Sequence, residues 1–204
     1  MEQEILVKSK KSLTLVFIPL AVGINLGIGA LVQVLKLPIF LDSIGTIIAT
    51  LLLGWRVGAV VGVIGFIVTS VTIFPPAVYF SGTQIVIAIF IHFSGKRGGL
   101  KNISRSVITG IFLAVIAATV SAPVIYFLFG GITGNGISAF TIYLESIGFI
   151  KSKAVIISGI SAELIDKTIQ TVMSFFILKN VPLSLLKKFT NGSLVENRYF
   201  NNIV

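Results

Sequence analysis

A chain of 204 residues that is 55% hydrophobic, with a mean hydropathy of +1.03, is too apolar to be an ordinary water-soluble domain. Its net charge of +9 points to membrane orientation and not to nucleic acid, because the basic residues stand in short runs beside apolar segments. With no cysteine there is no disulfide framework, so the fold rests on packing alone.

Crossing a bilayer takes about 20 residues of helix at 1.5 Å per residue. Six apolar segments approach or exceed that length, near 13–35, 39–54, 57–74, 77–93, 106–129 and 154–178, and predict a single all-α membrane domain of six transmembrane helices. Lys8, Lys10 and Lys11 precede the first segment as they would in a signal peptide. The apolar run continues past Ala30 without a convincing cleavage site, so it reads as a retained first helix. Gly23 and Gly27 form one small-residue stripe on it, and Ala21, Asn25 and Gly29 form a neighbouring one. Either stripe serves packing within the bundle or docking of a separate membrane subunit.

The second segment opens at Pro38, a residue suited to a first helical turn, with Asp42 close behind. Asp42 at a helix start either meets the favourable dipole or faces a ligand. Only Trp55-Arg56 divides the second segment from the third, which reads as two crossings joined at an interfacial turn, with a re-entrant hairpin as the alternative. Gly54, Gly58 and Gly62, with Gly65 close to the same side, let another backbone approach the third helix. The fourth segment carries Tyr79 and Gln84 and ends near His92, the single histidine. Tyr126 stands near the end of the fifth. Gly130 to Ile150, glycine-rich and bearing Asn135, Tyr143 and Glu145, is the one connection long enough to act as a lid.

A cytoplasmic amino terminus places nearly all the basic residues inside, including Arg56, Lys96, Arg97, Lys101, Arg105 and those of a basic tail over 179–204, and leaves only Lys36, Lys151 and Lys153 outside. Both termini are therefore expected in the cytoplasm.

The sixth segment sets ionisable groups at membrane depth. Glu163, Asp166, Lys167 and Gln170 share one helical arc, with Glu163 about 15 Å and Asp166 about 20 Å inward from Lys153. Such groups must pair, change protonation or face water. Lys167 reaches Glu163 at i,i+4, and need not pair with Asp166. The arc either pins the helices together or forms a ligand or coupling site, with Asp166 and Lys167 deeper and more structural in character than Glu163. One histidine and no cysteine argue against a metal site, and none of the phosphate-loop, nucleophile-elbow or zinc-helix motifs of common enzymes occurs.

Leu37-Pro-Ile-Phe-Leu-Asp-Ser-Ile-Gly-Thr46, the following Leu-Leu-Leu-Gly-Trp-Arg-Val-Gly-Ala-Val-Val-Gly62, and Glu163-Leu-Ile-Asp-Lys-Thr168 before Leu178-Lys-Asn-Val-Pro182, in that order, resemble the substrate-binding S components of energy-coupling factor vitamin transporters. The resemblance spans nearly the whole chain. It implies a six-helix bundle without catalytic activity or cofactor, which captures a vitamin-like small molecule from outside. A transmembrane coupling subunit and two ATPase subunits would then deliver it. By location it places the binding site at Asp42, Thr46, Tyr79, Gln84, Tyr126, Tyr143, Lys153 and Glu163. It places partner docking on the first helix, at Ala21, Gly23, Asn25, Gly27 and Gly29. It also implies a multi-pass protein of a prokaryotic cell membrane. An autonomous proton- or sodium-coupled transporter and a non-transporting scaffold are the competing readings of the same charges.

Overall fold

A computed structural model describes residues 2–192 and Val195, and among these the chain is entirely helical. The helices are α1 (Glu2–Val34), α2 (Ile44–Leu53), α3 (Trp55–Thr72), α4 (Ser81–Lys96), α5 (Ile103–Phe129), α6 (Gly136–Ser146), α7 (Lys151–Lys179) and a short α8 (Leu183–Leu186), with a 3₁₀ turn over Pro75–Phe80. Among the described residues, four stretches are long and apolar enough to cross a membrane: Ser12–Val34, Trp55–Thr72, Pro75–Lys96 and Ile103–Phe129. At 29 residues, α7 is longer than any of these four stretches, but its buried charges set it apart.

At the centre lies α2. Nine of its ten residues, Ile44 through Leu52, are buried. A helix apolar on every side needs neighbours on every side, and α1, α3, α4 and α7 supply them. Ile44, Ile47 and Leu51 pack with Ile87 and Ile91 of α4, Leu113 of α5 and Leu178 of α7 in one core. Burying an aliphatic side chain of this size contributes roughly 1.5–3 kcal/mol. Two glycines let helices approach backbone to backbone. A Cβ on Gly45 would strike the Ala21 carbonyl oxygen of α1, and one on Gly110 would lie 2.6 Å from Thr168 Cα, so α5 and α7 run along each other almost backbone to backbone.

Several boundaries differ from the sequence reading. The second segment is not helical from 39: residues 38–43 are irregular, and Pro38 starts no helix. Proline steers the residue before it to extended backbone, while Lys36 and Leu41 take positive φ of 50° and 48°. At ten residues, α2 spans about 15 Å, half a hydrocarbon core. Pro75 and Pro76 lack the N–H groups of a regular first turn, and the fourth segment begins as a 3₁₀ turn. The connection after α5 contains a helix, α6, whose Asn135 side chain accepts from Ile137 N and Ser138 N. Of the basic tail, α8 and its neighbours return to the bundle: Asn191 N donates to Leu52 O at 2.9 Å and Phe189 meets Phe17 edge to face. Arg198, with the rest of 196–204, lies outside the described residues.

Candidate functional site

Where α2 begins, its supports form a continuous polar chain. Asn25 Oδ1 accepts from Gly45 N at 2.6 Å and its Nδ2 donates to Thr46 Oγ1 at 3.0 Å. Thr46 Oγ1 donates to Gln84 Oε1 at 2.8 Å, Gln84 Nε2 donates to Ser43 Oγ at 2.8 Å, and Ser43 Oγ donates to Asp42 Oδ1 at 2.8 Å. Ser43 N donates to Gln170 Oε1 at 3.0 Å, and Gln170 Nε2 donates to Asp166 Oδ2 at 2.6 Å. Helices α1, α2, α4 and α7 are thus joined through groups that would otherwise be buried and unsatisfied, each such loss costing about 1–3 kcal/mol.

Asp166, wholly buried, holds the irregular segment. Its Oδ1 accepts from Phe40 N at 2.9 Å and Leu41 N at 2.7 Å. Buried backbone N–H groups outside a helix need an acceptor, and here a carboxylate supplies it. The same carboxylate holds Leu41 in a left-handed conformation that a branched residue seldom adopts. Lys167 pairs with Asp166 Oδ2 at 2.5 Å, Glu163 Oε2 at 3.2 Å and Asp42 Oδ1 at 3.9 Å. The i,i+4 reach to Glu163 appears as expected. The pair with the adjacent Asp166 joins it because both side chains turn toward the start of α2.

Beside this cluster opens a cavity of about 770 Å³, counting the part open to its mouth. Aromatic and aliphatic walls come from Phe40, Phe66, Phe74, Phe80, Ile87 and Ile125. Polar groups enter from Asn25, Asp42, Thr83, Gln84, Ser121, Glu163 and Lys167. Ser121 Oγ donates to Glu163 Oε1 at 3.4 Å, while Glu163 Oε2 and Thr83 Oγ1 are buried without a hydrogen-bond partner. Glu163 Oε2 nevertheless stands within ion-pair range of Lys167, so that contact is electrostatic rather than a directed hydrogen bond. Among the described residues no group of histidine, cysteine and carboxylate side chains is placed to hold a metal.

Of the eight positions expected to bind substrate, Asp42, Gln84 and Glu163 line the cavity, and Thr46 sits behind it, bonded to Gln84. Tyr79, Tyr126, Tyr143 and Lys153 do not line it. All four are exposed on the outside of the helices, where Tyr79 stacks edge to face on Phe129. The two deep groups part company: Asp166 braces backbone, whereas Lys167 faces the cavity. The small-residue stripes also separate. Ala21, Asn25 and Gly29 face inward, Ala21 and Asn25 against Gly45 and Gly29 against Asp42, so they are spent on packing within the chain. Gly23 and Gly27 face outward with open space beyond them. Gly58, Gly62 and Gly65 likewise pack internally, on Thr50, Gln84 and Asn25. Sequence reasoning did not single out Ser43, Thr83 and Ser121, since small hydroxyls carry no positional signal. Phe40 stood inside a quoted motif without being given a role.

No protein-family model matches this chain, and neither a curated protein nor a solved structure matches it. What the fold and site define, among the described residues, is an all-helical chain with four helices long and apolar enough to span a membrane, around a cavity with apolar walls and a charged floor.

Proposed function

We propose that the protein is the substrate-binding subunit of an ATP-driven importer of the energy-coupling factor type, set in a prokaryotic cell membrane. In this reading it has six membrane segments, with α2 and α7 joining the four apolar stretches, and both termini are cytoplasmic. It takes a planar or zwitterionic molecule of vitamin size from outside. A separate transmembrane coupling subunit with two ATPases completes delivery. The chain performs no chemistry of its own.

The observation that carries the reading is the cavity. Its walls are mostly apolar, and a few convergent polar groups line one side, the pattern of a small-molecule site. A scaffold that needed charges only to pin its helices would gain nothing from leaving Glu163 Oε2 and Thr83 Oγ1 without hydrogen bonds beside open space. Small-molecule uptake in vesicles tests it. Uptake should require ATP and coexpression of the coupling module. Uptake by the lone chain, abolished by dissipating a proton or sodium gradient, would favour the ion-coupled alternative instead.

A further inference from the structure

The buried charges do not balance. Among the described residues, three carboxylates, Asp42, Glu163 and Asp166, surround one ammonium, that of Lys167. Asp166 is fully supplied: two backbone N–H groups, Gln170 and Lys167 donate to it. The Lys167 ammonium already stands within ion-pair range of all three carboxylates, so its charge is spoken for. Glu163 and Asp42 must share what remains of one positive charge, and both line the cavity. Glu163 is only 4% exposed and its Oε2 lacks a hydrogen bond, while Asp42 reaches the cavity with 23% of its side chain exposed. Thr83 Oγ1, also buried and without a partner, lines the same space from α4.

Resting on the reading of this cavity as a small-molecule site, we infer that its ligand carries a cationic nitrogen on an apolar or aromatic body. The nitrogen would lie between Glu163 and Asp42, supplying the missing positive charge as a hydrogen-bond donor. The body would lie against the phenylalanine wall, where ring faces attract organic cations. A bare metal ion does not fit, because the Lys167 ammonium already occupies the position that the three carboxylates share. A wholly anionic ligand would meet Glu163 and Asp42 with like charge.

Three probes with one body and different charge separate these cases: phenethylamine, phenethyl alcohol and phenylacetate, titrated against the purified full chain in detergent. The amine should bind about 10- to 150-fold more tightly than the alcohol, the worth of one charged hydrogen bond, and phenylacetate weakest. Glu163→Gln should erase most of the amine's advantage and weaken the alcohol far less. Asp42→Asn, nearer the cavity mouth, should act in the same direction if Glu163→Gln fails to fold. Tighter binding of the alcohol or of phenylacetate than of the amine would overturn the cationic assignment while sparing the cavity, provided Ala30→Trp, which fills the space, abolishes it. Binding of the probes unaffected by Ala30→Trp, or no binding of any probe, would defeat the cavity reading and the assignment together.

Discussion

Replacing Asp166 with alanine tests the idea that one buried carboxylate holds the irregular segment before α2. The substitution strips the acceptor from Phe40 N and Leu41 N, and from Gln170 and Lys167. Each hydrogen bond to a charged group contributes roughly 1.5–3 kcal/mol, so the two backbone bonds alone represent about 3–6 kcal/mol. Some of this is recovered, because Lys167 keeps Glu163 and one of three mutually repelling carboxylates is gone. A net loss of about 3–5 kcal/mol remains, in line with breaking a buried charge pair. For a chain of this size, that lowers the melting temperature by on the order of 10 °C. Thermal unfolding of the purified protein in detergent, with wild type alongside, reads it directly. Proteolysis should also become faster within residues 35–43, since that backbone loses its anchor. A fall of less than about 2 °C with an unchanged cleavage pattern would refute the bracing role.

Gly45→Ala should destabilise by about 1–3 kcal/mol or prevent folding, because its Cβ meets the Ala21 carbonyl and neither backbone has room to retreat; yield and melting temperature check this. Gly23→Leu and Gly27→Leu point into open space and should change stability by no more than about 0.5 kcal/mol. If the proposed coupling subunit docks there, both should reduce complex recovery and uptake while leaving ligand affinity intact, and undiminished assembly would remove that face from consideration. Tyr126→Ala and Lys153→Ala, exposed and outside the cavity lining, should leave ligand affinity within roughly twofold in a titration.

Helix existence was legible in the sequence because apolar run length and the flanking basic residues obey simple rules. The start of α2 was not, because what sets it is remote: Asp166 and Gln170, more than 120 residues away, hold residues 40–43 out of a helix. The hidden α6 did have a local signal, Asn135 followed by a helical run, which glycine content masked. At the site, the polar arc of α7 was readable from helical periodicity, and Gln84 and Asp42 from the rarity of such groups in apolar segments. The four expected outer residues were chosen by depth along the chain alone. Depth does not say which way a side chain points, and Tyr79, Tyr126, Tyr143 and Lys153 point outward. Rotation about the helix axis likewise separated Gly23 and Gly27 from Ala21, Asn25 and Gly29, two stripes that a spacing of four residues describes equally well.

A cavity that holds a small molecule should carry it through purification. Native mass spectrometry of the purified chain, released from detergent in the gas phase, compares wild type with Ala30→Trp, whose new side chain enters the lining. Wild type should retain one adduct of vitamin size, and the variant, equally well folded by thermal unfolding, should lose it. An adduct-free wild type, or an adduct retained in both, would contradict a small molecule in this cavity.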